Sequence, residues 1–223
     1  MIMFIPVLAV MAVVLIMLHR AEFSGDQKGI YMFKPVSSVL MTAVLMMSFL
    51  REGCFRTEYT LALLAGMVLS FGGDMALMFM NASKKAFRIG LVLFLLGHIA
   101  YIVVFTLFSG FQESDWISGL VLAAAAVCIY RYLLPNLGDM KIPVLLYVVI
   151  ISVMVNRAVS VFSGTYFNQS QAILITAGAL LFYVSDVILA LHRFRHQWRY
   201  GRINLAFYYT RQVLTALSAS FFC

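Results

Sequence analysis

Two carboxylates stand inside apolar stretches of this chain. Asp74 lies in "GMVLSFGGDMALM" (Gly66–Met78) and Asp186 in "GALLFYVSDVILA" (Gly178–Ala190). Each stretch has a Gly eight residues before the Asp and a Leu three residues after it. A small residue, Gly73 or Ser185, immediately precedes each Asp. An ionisable side chain in hydrocarbon costs roughly 3 kcal/mol by insertion scales, so such groups face a cavity or each other. Two carboxylates sharing a dry site cannot both ionise easily. One then holds a proton and the other is an anion, a starting point for acid–base chemistry. The competing role is structural: a buried cation neutralises each Asp and locks helices together.

Other polar residues share the apolar background. Lys34, in "MFKPVSS", stands four or five residues inside the expected edge of its helix, beside Pro35, which can free a backbone carbonyl. Snorkelling to the headgroups is its structural alternative. Arg211, in "FYYTRQVL", lies deep in the last apolar segment and needs a carboxylate, a phosphate or water. Asp74 or Asp186 is its expected protein partner, and a lipid phosphate its expected ligand. Tyr209 and Gln212 are three residues apart, on one helical face. His98 and Tyr101 are likewise three apart in "LLGHIAYIVVF". A lone helical His serves more often as a structural hydrogen-bonding group than as a catalyst. Arg157, beside Asn156, is expected to reach outward toward the headgroups.

The elements that position these groups follow from composition. Of 223 residues, 63% are hydrophobic and 11% charged, against roughly 45–50% and 25% in soluble domains. The expected class is an all-α polytopic membrane bundle, with residues 1–223 forming a single membrane domain. Eight transmembrane helices are expected at about 20 residues each: 2–18, 30–50, 59–80, 87–109, 115–134, 141–163, 170–191 and 203–222. Segment 2–18 has neither a basic stretch before it nor a small-residue cleavage site after it, so it reads as a membrane helix rather than a signal peptide.

The basic residues orient the bundle. The first, third, fifth and seventh connections carry Arg20, Lys28, Lys84, Lys85, Arg88, Arg131, Lys141, Arg193, Arg195, Arg199 and Arg202; the even ones carry only Arg51 and Arg56. The positive-inside rule places the odd connections in the cytoplasm and both termini on the other side. The net charge of +7 is therefore topological, and no nucleic-acid partner is expected. The two Asp stretches lie four helices apart, which suggests a parallel tandem repeat of four helices, a transporter-type arrangement.

Several chemistries are excluded by pattern. Cys54, Cys128 and Cys223 have neither pairing nor metal-ligand spacing, and no HExxH or CxxC occurs, so no metal site is expected. No GxSxG elbow presents a serine. "FGGD" approaches the GxGD of intramembrane aspartyl proteases, but Phe71 stands where the first Gly should be, and "VSDV" lacks the preceding Tyr.

Taken in order and spacing, "FKP", "GGDMALM", "LLGHIAYIVVF", a Tyr then Met in helix six, "GALLFYVSDVILALHRF" and "YYTRQ" resemble the YhhN/lysoplasmalogenase family of eight-helix membrane proteins. The resemblance covers nearly the whole chain. It departs at Arg211, where the family pattern has a small residue.

That resemblance implies hydrolysis of the vinyl-ether bond of lysoplasmalogens to a fatty aldehyde and glycerophosphoethanolamine or glycerophosphocholine. A vinyl ether is cleaved by protonating its β-carbon, so an undissociated acid and a nearby anion are needed, and a nucleophilic serine is not. Asp74 and Asp186 would supply these. His98, Tyr101, Tyr209 and Gln212 would orient the acid and water, and Lys34, with Arg211, would hold the phosphate at the rim. No cofactor and no obligate protein partner are implied beyond lysophospholipid and membrane lipid. The alternative is a small proton-coupled transporter or lipid carrier using the same carboxylates. The compact length, with no targeting extension, points to a bacterial inner membrane.

Overall fold

The structure, a computed structural model, describes residues 2–53, 55–198 and 201–222. Cys54, Cys223 and Arg199 lie outside the described residues, and the Cys128 thiol is exposed. The helices are α1 (Ile5–Ser24), α2 (Gln27–Met46), α3 (Thr57–Leu77), α4 (Lys84–Ser109), α5 (Asp115–Leu133), α6 (Lys141–Ser160), α7 (Gln169–Phe194) and α8 (Asn204–Ser218). Short 3-10 turns join some of them, and no strand occurs among the described residues.

Seven of these helices are long and apolar enough to cross a membrane. The protein is thus an integral membrane protein with an all-helical fold. The eighth helix differs from the span expected over 203–222. It has 15 residues, roughly 22 Å at 1.5 Å per residue, against about 30 Å of hydrocarbon. Its mean hydropathy is low because it is an interior helix: Tyr208, Tyr209, Arg211, Gln212 and Thr215 are all buried.

Local chemistry sets the helix ends. Nothing at His19 or Arg20 breaks a helix, so α1 continues past residue 18 until Gly25, whose φ of 72° closes it with an N–H bond to the Ala21 carbonyl. Asp26 caps α2 by accepting from the Lys28 amide at 3.1 Å. Ser83 caps α4 through the Ala86 amide at 3.3 Å, and Asn168 with Gln171 forms a capping box on α7.

Consecutive helices pack in antiparallel pairs: α1 on α2, α3 on α4, α5 on α6, and α7 on α8. The remaining principal packings are α2 on α3, α6 on α7, α4 on α6, and α2 on α8. Each of these has a counterpart four helices away: α2–α3 matches α6–α7, and α2–α8 matches α6–α4.

Glycines carry the closest approaches. A Cβ on Gly66 would stand 2.6 Å from the Tyr101 ring, and one on Gly73 2.7 Å from the Phe94 ring. The second gap beside Asp74 is therefore filled by a side chain of α4. At the corresponding place on α7, a Cβ on Gly178 would meet Thr215 Oγ1 at 3.1 Å, and Ser185 donates to the Asn204 carbonyl of the α7–α8 hairpin at 2.9 Å. Small residues at helix interfaces let backbones approach where lipid gives no hydrophobic drive.

The odd connections converge at one end of the bundle. Arg202 bonds Glu22 at 2.6 and 2.8 Å, Arg193 reaches the Met80 carbonyl at 3.5 Å, Arg195 reaches Asn136 at 3.2 Å, and Arg88 pairs with Asp139. At the opposite end, Tyr59 bonds Ser218 at 2.9 Å and Gln171 donates to the Ser218 carbonyl at 3.1 Å. The expected outward reach of Arg157 is not observed. It is 4% exposed and pairs with Asp115, which also accepts from Ser160. An acid within reach removes the reason to extend a guanidinium to the headgroups.

Candidate active site

One cavity, toward the basic end, contains the residues with chemical potential. It encloses about 950 Å³ free of protein atoms, including its mouth. Lys34, Asp74, Tyr147, Asp186, Arg202 and Tyr208 line it, and most of the remaining wall is Leu, Val, Ile and Phe. Such a space offers apolar surface for a chain and a few polar groups at fixed places.

Asp74 and Asp186 face this cavity from helices that are not principal packing partners. Among the described residues, neither bonds to the other. Asp74 Oδ2 accepts from Ser38 Oγ of α2 at 2.8 Å and from the Tyr208 hydroxyl of α8 at 2.8 Å. Asp186 Oδ2 accepts from the Tyr147 hydroxyl of α6 at 2.5 Å, and His98 Nε2 of α4 lies 3.9 Å from it. Asp74 thus takes its neighbours from α2 and α8, and Asp186 from α6 and α4. These pairs of helices correspond under the shift of four.

The two carboxylates differ in surroundings. Asp74 is 2% exposed and shares the cavity wall with Lys34. The Asp186 side chain is 14% exposed, opening onto the cavity. Lys34 is buried and lines the cavity, with no hydrogen bond or ion pair to another described residue. Pro35 lies inside α2 without ending it. Arg202 reaches the cavity from the turn before α8 and is braced by Glu22.

Behind the wall lies a layer that does not line the cavity. His98 Nδ1 is 2.5 Å from the Phe94 carbonyl, its ring stacks on Phe182 at 4.5 Å, and its Nε2 is buried without a hydrogen bond. Arg211 has neither Asp74 nor Asp186 as an ion-pair partner. Its guanidinium carbon lies 4.3 Å from the centroids of both the Tyr101 and Phe182 rings, and its Nη1 donates to Gln212 Oε1. Aromatic faces stabilise a desolvated guanidinium by about 2 kcal/mol or more. Gln212 Nε2 donates to the Tyr208 hydroxyl at 3.0 Å. Tyr209, also buried, packs edge-on against Tyr208 at 4.9 Å, and its hydroxyl forms no hydrogen bond of ordinary length and angle among the described residues. The Tyr101 hydroxyl has none either.

Ser38, Tyr147, Arg202 and Tyr208 are site residues that spacing did not single out. Ser38 was accessible to sequence reasoning, since it is one turn beyond Lys34 on the same helical face. Tyr208 is one turn before Gln212; the neighbouring Tyr209, three residues away, satisfies the same face rule. Nothing in the apolar run around Tyr147 marks its direction.

The family model of YhhN matches residues 29–219. The lysoplasmalogenase TMEM86A of Bos taurus and that of Homo sapiens are each 33% identical to the chain over 158 residues. That match takes in 69% of this chain and 63% of each relative, so the chain spans less than two thirds of their length. No solved structure matches it. With the family match covering both Asp helices and every wall of the cavity, the chain belongs to the YhhN family.

Proposed function

We propose that the protein is a lysoplasmalogenase that hydrolyses the vinyl-ether bond of lysoplasmalogens. The observation carrying this is that Asp74 and Asp186 line one largely apolar cavity, with Lys34 and Arg202 on its wall. The identity to lysoplasmalogenase TMEM86A supports it. The alkenyl chain lies among the apolar side chains. The headgroup phosphate lies against Lys34 and Arg202, at the basic end that we assign to the cytoplasm.

One Asp donates a proton to the β-carbon of the alkene, giving an oxocarbenium ion. The other stabilises that cation and activates the water that adds to it, as paired carboxylates do in glycoside hydrolysis. The hemiacetal collapses to a fatty aldehyde and the free glycerol hydroxyl. Tyr147 and Tyr208 hold the two carboxylates in place. His98, Arg211 and Gln212, with Tyr101 and Tyr209 packed about them, set that arrangement from behind. Purified protein in detergent should release aldehyde from a lysoplasmalogen and none from the corresponding ester-linked lysophospholipid. Failure to release aldehyde from the vinyl ether would count against the assignment.

A second reading is favoured by the paired packing of the two halves. A small proton-coupled transporter or lipid carrier would use the same carboxylates at a quasi-symmetric interface. Solute-coupled proton uptake by proteoliposomes, with no aldehyde formed, would select it.

A further inference from the structure

Donor and acceptor identity fixes the direction of the hydrogen bonds around Asp74. A guanidinium only donates. The acceptor for Arg211 is therefore the amide oxygen of Gln212, which turns the Gln212 NH2 group toward Tyr208. The Tyr208 oxygen accepts from that amide, so its single hydrogen is directed at Asp74 Oδ2. Ser38 directs a second hydrogen at the same oxygen. An oxygen receiving two donors cannot itself carry the proton, and two donors together with Lys34 on the same cavity wall favour the ionised form. Asp74 Oδ1 has no hydrogen bond among the described residues, and Asp74 lines the cavity.

Around Asp186 the arrangement is reversed. The Phe94 carbonyl can only accept, so His98 Nδ1 carries the hydrogen. A second cation is disfavoured in so dry a place, because His98 shares the Phe182 ring with Arg211. A neutral His98 then presents a bare Nε2 lone pair, buried and unpartnered, 3.9 Å from Asp186 Oδ2. At that separation the lone pair makes no hydrogen bond, but its partial negative charge disfavours a second negative charge on Asp186 and so favours the protonated acid. Asp186 itself has one protein donor, Tyr147, and opens onto the cavity.

We propose that Asp186 carries the transferable proton and that Asp74 is the fixed anion, set by the directional chain Arg211–Gln212–Tyr208. The assignment rests on the hydrolase reading for the identity of the reaction. In the first step the Asp186 O–H bond breaks, the alkene π pair forms the new C–H bond, and Asp186 is left as carboxylate. Water adds to the cation and gives a proton to Asp74. On collapse, the hemiacetal hydroxyl returns a proton to Asp186 while Asp74 protonates the departing glycerol oxygen. Both groups are then reset, with one water consumed. Arg211 and Gln212 are positioning residues, touching neither substrate nor reacting atoms.

Infrared spectroscopy tests the assignment without substrate. At neutral pH, with deuterium exchange to identify carboxylic C=O stretches, the wild type should show an undissociated carboxyl. The band should vanish in Asp186→Asn and persist in Asp74→Asn. A band lost in Asp74→Asn instead, or no band in the wild type, overturns the proposal. Arg211→Met frees Gln212 to turn over, so a second carboxyl band should appear; Arg211→Lys, still a pure donor, should keep the wild-type spectrum. Gln212→Leu serves as the second variant, and should also bring in the new band. An unchanged spectrum in whichever of these variants folds would remove the chain from the account. The two readings fail separately. A band that follows Asp186 in a protein releasing no aldehyde keeps the charge assignment and rejects the hydrolase. Aldehyde release that needs both Asp, with a band that follows Asp74, does the reverse.

Discussion

The Tyr147 hydroxyl donates to Asp186 at 2.5 Å, across the α6–α7 interface and on the wall of the central cavity. No other described side chain forms a hydrogen bond with that carboxylate. A hydrogen bond to a carboxyl group contributes about 1.5–3 kcal/mol when its acceptor is charged and about 1 kcal/mol when it is neutral. Tyr147→Phe should therefore lower kcat by roughly 10-fold with little change in KM, since the lost contact positions the acid and not the headgroup. Steady-state aldehyde release from the purified variant measures the split.

Lys34 and Arg202 should separate by their second roles. Lys34 makes no hydrogen bond or ion pair with another described residue. Lys34→Ala should raise KM by about 10-fold or more, the equivalent of one charge-assisted contact to phosphate, and change kcat little. Arg202→Ala should raise KM as well, and should also lower the melting temperature, because the Glu22 side chain, 7% exposed, loses its partner. A kcat loss alone in either variant would place that residue in the chemistry.

How much of this was legible in the sequence depends on the kind of force involved. The cost of charge in hydrocarbon made Asp74, Asp186, Lys34 and Arg211 conspicuous, and the eight helices followed from the apolar runs. Helix rotation was not legible. In a soluble protein the polar face marks the outside, but here lipid and core are both apolar, so α3, α5 and α6 show almost no preferred face. Tyr208 and Tyr209 are therefore indistinguishable by pattern, yet only Tyr208 bonds Asp74. The setting of Arg211 between Tyr101 and Phe182 was hidden for a related reason. Ring faces can substitute for a carboxylate, and sequence spacing does not show which rings converge from α4 and α7.

The glycines beside Asp74 should respond unequally. A Cβ at Gly73 would stand 2.7 Å from the Phe94 ring, whereas one at Gly72 would stand 3.3 Å from the tip of Leu93. Overpacking costs typically about 1–3 kcal/mol, and a leucine tip yields more easily than a ring packed between Phe182 and Tyr208. Gly73→Ala should lower the thermal midpoint in detergent, and Gly72→Ala should lower it less. Equal midpoints would contradict the tight α3–α4 contact.

The Arg157–Asp115 pair should matter for stability alone. Both side chains are at most 10% exposed. Arg157→Ala leaves the partly buried Asp115 without its counter-ion, with the Ser160 hydroxyl and the Gln112 amide as its remaining donors, and should lower the thermal midpoint. The pair joins α5 to α6 at the end away from the Lys34 and Arg202 rim, and neither residue lines the central cavity. The folded fraction of the variant should retain wild-type kcat, measured as aldehyde release normalised to monodisperse protein.

The most direct test of the central claim is aldehyde release from a lysoplasmalogen by purified Asp74→Asn and Asp186→Asn. Asn keeps the size of each side chain while removing its ability to give or hold a proton. Each variant should remain monodisperse and lose roughly 10²–10⁴-fold in kcat, the usual contribution of a general acid or base. Near wild-type turnover by either folded variant would contradict the paired-carboxylate account.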